Sequence, residues 1–279
     1  MTHKISRRAM LRNTAALTTG VVAATTAKLR AADAQGAARA TATGTGTATA
    51  PAVLDHVHIG CTNVYATAFD LMKATKIGHY DGGFGTNIVT GQKTMPLGGG
   101  VYLEIESVVD PFATSDARLR PWWHARAVSM KSPVFSGVCL RVNTMDELKE
   151  IAKRHGGVAR LNMHTPSDGP PVKCWEAPHG PNIRNPWETG QPTWCCWENR
   201  LYSHPSGQPV VNAPGLVVPM GVAWIEMGGT KAQMQAWLDQ NPDDLKMKFN
   251  GKAPGVYAIG VKTDVGDVEI RRPSATRTT

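Results

Sequence analysis

The chain has 279 residues, of which 42% are hydrophobic, 19% charged and 6% aromatic, enough for one large domain or two packed modules. Its 28 glycines follow no period of three and it has only five cysteines, which excludes a collagen-like or disulfide-dense protein. The net charge of +8 arises mainly in residues 1–34, where six basic residues face one acidic residue; the other 24 basic and 21 acidic residues leave only +3. The net charge therefore gives little reason to expect nucleic-acid binding.

The first 34 residues have the features of an export signal. Arg7 and Arg8 precede a weakly apolar stretch, residues 15–27, that is rich in Ala and Thr. This arrangement predicts a twin-arginine signal peptide over residues 1–34, with the small residues at 32–34 offering a cleavage site. A basic disordered N-terminus is the alternative. The apolar stretch is too short to span a bilayer, so we expect a periplasmic or secreted mature protein without a membrane segment.

Two segments lack the apolar residues that folding requires. Residues 35–52 contain almost only Ala, Thr and Gly, which predicts a disordered linker, and residues 273–279 are predicted to be a disordered tail. Of the five cysteines, three are isolated and two, Cys195 and Cys196, are adjacent, with no Cys-x-x-Cys pair. The cysteines are therefore predicted to be small buried residues, not a zinc ribbon or a disulfide framework.

The first folded unit is predicted to begin at Leu54 with a strand of alternating character that ends near Cys61. Thr62 or Asn63 then caps a helix over residues 64–75. Further strands follow, the last over residues 101–107, so the order is strand, helix and three strands. The residues expected on the buried side of the helix are Ala66, Phe69, Leu71 and Met72.

The same opening recurs twice. A strand at 136–142 precedes a helix at 145–155, and a strand at 221–227 precedes a helix at 230–240. This repetition predicts an α+β fold of modules built on curved antiparallel sheets, although a ferredoxin-like arrangement also fits each unit alone. The predicted boundaries are 53–134 for the first module, 135–218 for the second, divergent module and 219–272 for a partial third strand–helix unit.

The first unit also contains the best candidates for chemistry. His56 and His58 share one face of the first strand, and Glu104 and Glu106 share one face of the last strand. If these strands are neighbours in a curved sheet, two imidazoles and two carboxylates converge in its concavity, a donor set that suits Zn, Fe(II), Mn or Ni. The alternative is that they are solvated side chains or a structural His–Glu pair.

Several of these motifs resemble one known family. The segments Leu54-Asp55-His56 and Tyr102-Leu103-Glu104 are similar to the glyoxalase-like branch of the vicinal oxygen chelate superfamily. The resemblance runs from about residue 53 to 240 and implies paired βαβββ modules that form a cupped sheet. The other segments that carry it are Gly85-Thr86-Asn87, Asp110-Pro111, Arg160, Pro166-Ser167-Asp168-Gly169, Trp194 to Trp197 and His204-Pro205.

The resemblance implies a divalent metal ion, Zn, Fe, Mn or Ni, with His56 and Glu104 as its first ligands. A full site takes a matching pair from the second module, but the second opening strand has Gly137 and Cys139 where a histidine is expected. Glu198 is one candidate for the missing carboxylate, and His204 is the predicted third ligand, approaching from a loop.

Roles in binding and catalysis are also expected for side chains near His56 and Glu104. Glu104 is the residue expected to move a proton, and His58 is expected to act as a base or to support a ligand, with a packed or solvated histidine as the alternative. Asn87 is expected to present its amide to the substrate, or else to stabilise a turn. Trp194 is expected to line the substrate cup.

The resemblance implies an exported metal-dependent enzyme whose small substrate binds through two neighbouring oxygens, of the isomerase, lyase or dioxygenase type. The alternative is a metal-free protein of the same fold that binds and sequesters a small molecule in a cup lined by Trp, Tyr and Met. A homodimer is the family-level expectation for assembly.

Overall fold

The computed structural model of the protein describes residues 51–85, 89–110, 112, 121–166, 170–198, 204–205 and 213–273. The predicted export signal, most of the predicted linker and nearly all of the predicted tail lie outside these residues. Within the described part, no helix is long and apolar enough to cross a membrane.

The first module has the predicted order of one strand, one helix and three strands. Its helix begins where Asn63 accepts a hydrogen bond from the backbone of Ala66 at 3.0 Å, which satisfies a free N–H of the first turn. The elements are β1 (Val53–Cys61), α1 (Val64–Thr75), β2 (Tyr80–Phe84), β3 (Thr90–Gly98) and β4 (Val101–Val108).

The buried side of α1 differs from the prediction. Ala66 and Phe69 are exposed, and the helix instead buries Val64, Thr67, Ala68 and Thr75. The prediction chose the side with the larger apolar residues, whereas the helix packs its smaller residues against the sheet, which lets the two backbones approach closely. Leu71 and Met72 are half-buried, and Leu71 packs against the apolar core.

The second module repeats the same order after a connecting helix. Its helix starts with a capping box, in which Thr144 and Glu147 each bond the other's backbone N–H. The elements are α2 (Trp122–Met130), β5 (Val134–Arg141), α3 (Met145–Arg154), β6 (Val158–His164), β7 (Val172–His179), a 3₁₀ turn (Pro186–Thr189) and β8 (Thr193–Trp197).

The third unit is a complete strand, helix and three strands in a separate sheet. In that sheet β10 pairs parallel to β9, and β11 pairs antiparallel to both β9 and β12. Ala52, the last residue of the predicted linker, is held to this unit because Gln240 bonds both its N–H and its carbonyl, at 3.0 and 3.1 Å. The elements are β9 (Pro219–Met227), α4 (Lys231–Leu238), a 3₁₀ turn (Pro242–Leu245), β10 (Met247–Phe249), β11 (Val256–Thr263) and β12 (Gly266–Arg271).

The first two modules share one eight-stranded sheet in the order β2-β3-β4-β1-β5-β8-β7-β6. The two opening strands, β1 and β5, pair antiparallel at its centre. Within each module the first and last strands pair in parallel, β1 with β4 and β5 with β8. The predicted curved antiparallel sheets therefore also contain parallel pairs, these two and β9 with β10, while the predicted α+β class with paired βαβββ modules is confirmed.

The sheet curls until its two outer strands meet. Phe84 on β2 and Thr165, just after β6, exchange two backbone hydrogen bonds of 2.8 and 2.9 Å. Gly83 allows this closure because its φ is +86° and any side chain there would overlap the Thr165 carbonyl. The curled sheet therefore brings β6 and β7 round to face the first module.

Alternating side chains divide this sheet into two faces. Residues such as Val57, Leu103 and Leu140 join the apolar core between the sheet, the helices and the third unit. Their neighbours point to the opposite, concave side. We call this concave side the hollow; it is lined by His56, His58, Glu104, Glu106, Cys139 and Glu176.

Candidate functional site

The structure brings His56 and Glu104 together in the hollow. Their strands β1 and β4 are adjacent and parallel, with His58 opposite Glu104. The Nε2 atom of His56 lies 3.3 Å from Oε2 of Glu104. The histidine is almost fully buried, whereas 14% of the Glu104 side chain is accessible, so the carboxylate is the member of the pair that a ligand would meet.

Asp55 holds this histidine from behind. A bulge in β1 between Leu54 and His56 leaves Asp55 without an opposite residue and turns its side chain to the same side as His56. The fully buried carboxylate accepts a 2.8 Å hydrogen bond from Nδ1 of His56. Its remaining donors are Arg141 at 2.8 Å, His204 at 2.8 Å and Trp197 at 3.4 Å.

These contacts set the charges at the site. Burial acts to raise the pKa of Asp55, but hydrogen bonds from His204 and His56 outweigh it and hold that pKa well below its usual range. Burial acts to lower the pKa of His56; the hydrogen bond to Asp55 and the negative charges of Glu104 and Asp55 outweigh it and raise this pKa to about 10. The imidazole is therefore a cation at neutral pH. Burial also raises the pKa of Glu104, with the charge of His56 acting against it.

His58 and Glu106 form a second pair beside the first. The Nε2 atom of His58 lies 2.8 Å from Oε2 of Glu106. Burial acts to raise the pKa of Glu106, but the hydrogen bond with His58 outweighs it and lowers that pKa. The Nδ1 atom of His58 is buried without a hydrogen-bond partner, and its ring lies between the indoles of Trp187 and Trp123, with centroids at 5.0 and 5.6 Å.

An indole fills the place where the second module would supply a histidine. Gly137 is the counterpart of His56, since each stands seven positions before the N-cap of the following helix, Thr144 or Asn63. Any side chain at Gly137 would overlap the ring of Trp187, whose Nε1 donates to the backbone carbonyl of Val138 at 3.0 Å. The second half of a symmetric site is therefore occupied by protein.

The second module contributes its own carboxylate, Glu176 on β7. Its Oε1 accepts a 2.8 Å hydrogen bond from the amide of Asn162, and its Oε2 lies 3.7 Å from Nε2 of His179. Burial acts to raise the pKa of Glu176, but His179 and Asn162 outweigh it and lower that pKa, so the group is ionised at neutral pH.

The other predicted site residues lie elsewhere. Trp194 belongs to the apolar core, on the far side of the sheet from the hollow, where its ring stacks with His155 at 5.1 Å. Nε2 of His204 lies 2.8 Å from Asp55 and 3.1 Å from Arg141. Glu198 forms a surface ion pair with Lys173 at 3.3 Å. Asn87 lies outside the described residues.

The cysteines are all free and buried, as predicted. Cys139, Cys174 and Cys195 form a cluster under the rings of Trp187 and Trp197. Burial raises the pKa of Cys174 to about 12, which keeps it a thiol at neutral pH. These residues therefore serve as an apolar floor for the second-module side of the hollow.

The described side chains do not match the donor set that a divalent metal requires. No three His, Cys, Asp or Glu side chains among them are arranged to hold a metal ion. His56 instead lies between the carboxylates of Asp55 and Glu104, His58 pairs with Glu106, and Nε2 of His204 bonds to Asp55. The position that would complete the site from the second module holds Trp187. The metal ligands implied by the resemblance therefore do not assemble in this part of the chain.

Sequence reasoning missed Asp55, Arg141 and Glu176. Strand alternation places Asp55 on the face opposite His56, and only the bulge in β1 brings the two side chains together. Arg141 ends β5, and Glu176 lies three strands from β1 in the sheet. The one available signal was Asp55 itself, a charged residue inside a strand of otherwise apolar and histidine residues, where an unpaired charge is costly.

The curled sheet of two paired βαβββ modules defines the glyoxalase, or vicinal oxygen chelate, fold, with carboxylates and imidazoles on its concave side. The family model described as a glyoxalase-like domain matches residues 54–240, more than half of the chain. The protein therefore belongs to the glyoxalase-like domain family. No curated protein matches its sequence at a significant level.

Solved structures similar to this chain include several proteins of low sequence identity. One is a hypothetical protein from Staphylococcus aureus, with 13% identity, a TM-score of 0.49 and coverage of 81% of this chain and 88% of that one. Another is methylmalonyl-CoA epimerase from Mycobacterium tuberculosis, with 13% identity, a TM-score of 0.32 and coverage of 52% of this chain and 86% of that one. A third is a xylose isomerase-like TIM barrel/4-hydroxyphenylpyruvate dioxygenase fusion protein. It has 8% identity, a TM-score of 0.36 and coverage of 80% of this chain and 32% of that one.

Proposed function

We propose that the protein is an exported enzyme of the isomerase or lyase type that moves a proton on a small substrate bound in the hollow, without a bound metal ion. The observation that carries this proposal is the contact of 3.3 Å between Glu104 and His56, with the second nitrogen of His56 fixed by Asp55. Acid–base catalysis needs such a carboxylate, accessible to substrate and beside a group that stabilises negative charge.

The two side chains have complementary tasks. Glu104 takes a proton from a substrate carbon next to a carbonyl group, and the C–H electron pair moves to the carbonyl oxygen to form an enolate. Glu104 is neutral once it carries this proton, and the charge of the His56 imidazolium, 3.3 Å from the Glu104 carboxyl group, then stabilises the enolate. Glu104 then returns the proton to the same or the neighbouring carbon, which gives isomerisation, or a group beside the carbanionic carbon departs, which gives elimination.

The donor arrangement favours this metal-independent chemistry over the metal-dependent reactions that the resemblance implies. A protonated His56, with Nδ1 bonded to Asp55 and Nε2 3.3 Å from Glu104, has no lone pair for a metal ion. A dioxygenase needs such an ion, so the proposal keeps only the isomerase and lyase classes. We expect purified protein to contain far less than one equivalent of Zn, Fe, Mn or Ni, and a chelator to leave activity unchanged. Stoichiometric metal that disappears in the His56→Ala variant would contradict this.

A binding protein without turnover is the second candidate. It is supported by the packing of Trp187 on His58, with ring centroids 5.0 Å apart, which provides an aromatic wall and removes one imidazole from reach of a substrate. In that case Glu104 would hold a ligand and perform no proton transfer.

Proton exchange separates the two candidates. A panel of 2-oxoaldehydes, hydroxyketones and diols is incubated with the protein in D2O, and deuterium uptake at carbon is followed by proton NMR. We expect uptake next to a carbonyl group with the natural chain and a loss of about 100-fold or more in Glu104→Gln. The control is Glu150→Gln, at an exposed position of α3. Uptake that persists in Glu104→Gln would refute the proposal; ligand binding without uptake would support the second candidate.

A further inference from the structure

The proposed reaction needs a hydrogen-bond donor that touches the substrate oxygen, and His56 does not supply it. Nδ1 of His56 bonds to Asp55 at 2.8 Å, and its Nε2 lies 3.3 Å from Glu104, so both nitrogens are engaged by carboxylates. Only 4% of the His56 side chain is accessible. The charge that forms on the substrate oxygen therefore requires a second donor, one whose nitrogen is open to the hollow.

His164, the last residue of β6, faces the hollow. On the same strand the amide of Asn162 donates to Glu176 at 2.8 Å, so the Asn162 side chain lies on the concave side of the sheet. Strand alternation puts His164, two residues later, on this side as well. The next residue, Thr165, exchanges backbone hydrogen bonds with Phe84 on β2, which brings His164 beside the first module.

The surroundings of His164 connect it to the reactive pair. Its ring lies edge-on to Trp197, with centroids 6.2 Å apart, and the indole N–H of Trp197 donates to Asp55 at 3.4 Å. Burial is the main cause that lowers the pKa of His164 to about 4; the charge of His56 acts in the same direction, and that of Glu106 opposes it. The imidazole is therefore neutral at neutral pH, with one N–H group that can donate.

His164 differs from the other imidazoles on this side of the sheet because its nitrogens are not engaged. His56, His58, His179 and His204 each lie 3.7 Å or less from a carboxylate oxygen. Among the described residues His164 has no hydrogen bond or ion pair, and its side chain is half-buried with neither nitrogen fully enclosed. A ligand oxygen in the hollow can therefore reach the N–H of this ring without breaking an existing contact.

Two other donors lie on the concave side, at the opposite end of β6 and β7. Arg160 is exposed and lies opposite Glu176, and His179 is 33% exposed and lies 3.7 Å from the same carboxylate. Arg160 is about 13 Å from His164 along the strand, so the two ends of β6 cannot serve the same substrate atom. Variants of these residues therefore provide the comparison that a test of His164 needs.

We infer that His164 is a further catalytic residue of the proposed enzyme, an imidazole that donates a hydrogen bond to the carbonyl oxygen of the substrate. This inference rests on the proposed function. Glu104 takes the proton from carbon, the C–H electron pair moves to the carbonyl oxygen, and the N–H of His164 stabilises the negative charge there. The imidazole keeps its own proton, so this step requires no further base.

Deuterium exchange with chemical rescue tests this role in the full chain. Uptake at carbon in D2O is measured with the 2-oxoaldehydes and hydroxyketones of the panel for His164→Ala, Arg160→Gln and His179→Gln. We expect uptake to fall by about 100-fold in His164→Ala and by less than about threefold in the other two variants. Added imidazole should restore at least about tenfold of the loss in His164→Ala, because the truncated side chain leaves a space that the hollow keeps accessible.

Rescue is a readout that a purely structural role of His164 would not give. Thermal unfolding checks that the variants fold, and His164→Gln, whose amide retains an N–H donor, replaces His164→Ala for the rate comparison if the alanine variant is unstable. We expect His164→Gln to fall less than His164→Ala and more than His179→Gln. Unchanged uptake in the His164 variants, or a larger loss in Arg160→Gln or His179→Gln, would overturn the inference, as would a folded His164→Ala variant that imidazole does not rescue.

The failures of the inference and of the proposed function are distinguishable. Loss of uptake in Glu104→Gln together with natural uptake in His164→Ala would leave the proposed function intact and remove only the role of His164. No uptake by the natural chain, or unchanged uptake in Glu104→Gln, would overturn both.

Discussion

At the scale of single residues, the site depends on Asp55, whose carboxylate accepts hydrogen bonds from several side chains. Asp55 is fully buried and accepts hydrogen bonds from His56, Arg141 and His204, so its charge is compensated within the protein. A buried carboxylate in this position orients the imidazole and holds its proton, which leaves Nε2 directed at Glu104. The arrangement makes His56 a fixed cation beside an accessible base.

This fixed cation predicts how stability depends on pH. The pKa of His56 is about 10 in the folded protein and about 6.5 in an unfolded chain. A raised folded-state pKa adds stability that is fully present below the unfolded value and is lost as pH rises through the folded value. We therefore expect the contribution of His56 to the free energy of unfolding to fall by on the order of 4 kcal/mol between about pH 6.5 and 10.

Urea unfolding at several pH values measures this dependence, with His56→Gln as the test variant and Asp70→Asn, at an exposed position of α1, as the control. Between about pH 6.5 and 8, below the range in which cysteines of the unfolded chain ionise, the slope should vanish in His56→Gln and persist in Asp70→Asn. An equal slope in the natural chain and in His56→Gln would show that other groups cause it.

At the scale of elements, two glycines let indoles lie flat on the central strands. Gly60 on β1 lies under Trp123, and Gly137 on β5 lies under Trp187. Both rings flank His58, so the connecting helix α2 and the 3₁₀ turn before β8 each contribute one wall of the hollow. The second module thereby has an aromatic surface, formed by Trp187, where the first module has the polar side chain of His56.

Replacing Gly137 tests this packing. We expect Gly137→Ala to lower the free energy of unfolding by about 1–3 kcal/mol, because the added methyl group overlaps Trp187 and the core cannot easily yield. Gly180→Ala is the matched control, since a methyl group there approaches only Ile183 at 3.3 Å. In a Trp187→Leu background the effect of Gly137→Ala should disappear, as the clashing ring is absent. A cost that remains in that background would mean that the indole is not its cause.

At the scale of the whole molecule, the proposal combines an export signal with a folded enzyme. The sequence supports export through the paired Arg7 and Arg8 and the weakly apolar residues 15–27, which are separate from the family match at 54–240. Most of the excess positive charge belongs to this leader, so the rest of the chain is close to neutral.

Cell fractionation tests the export signal. We expect the natural chain to accumulate outside the cytoplasm of a bacterial host with an intact twin-arginine pathway. Changing both arginines, Arg7→Lys with Arg8→Lys, should retain the unprocessed precursor in the cytoplasm, while Arg12→Lys should leave export unchanged. Equal export of the double variant would contradict the assignment.

The features that could be predicted from the sequence are those that depend on residues close together in the chain. Alternating residues and helix caps are local signals, so the strand at Val53–Cys61, the helix capped by Thr144 and the repeated module order could be predicted. The side of a helix that packs is a tertiary property, and Phe69 on α1 shows that the larger apolar residue is not always the buried one.

The sequence by itself determined the modules, their family and the first pair of candidate side chains, because His56 and Glu104 each lie on a strand whose period is local. Only the tertiary structure decided what surrounds that pair. A bulge turned Asp55 inward, Trp187 took the place of a second-module ligand, and the curl of the sheet brought Glu176 into the hollow. These features depend on contacts between residues distant in the chain, which no local pattern of residues specifies.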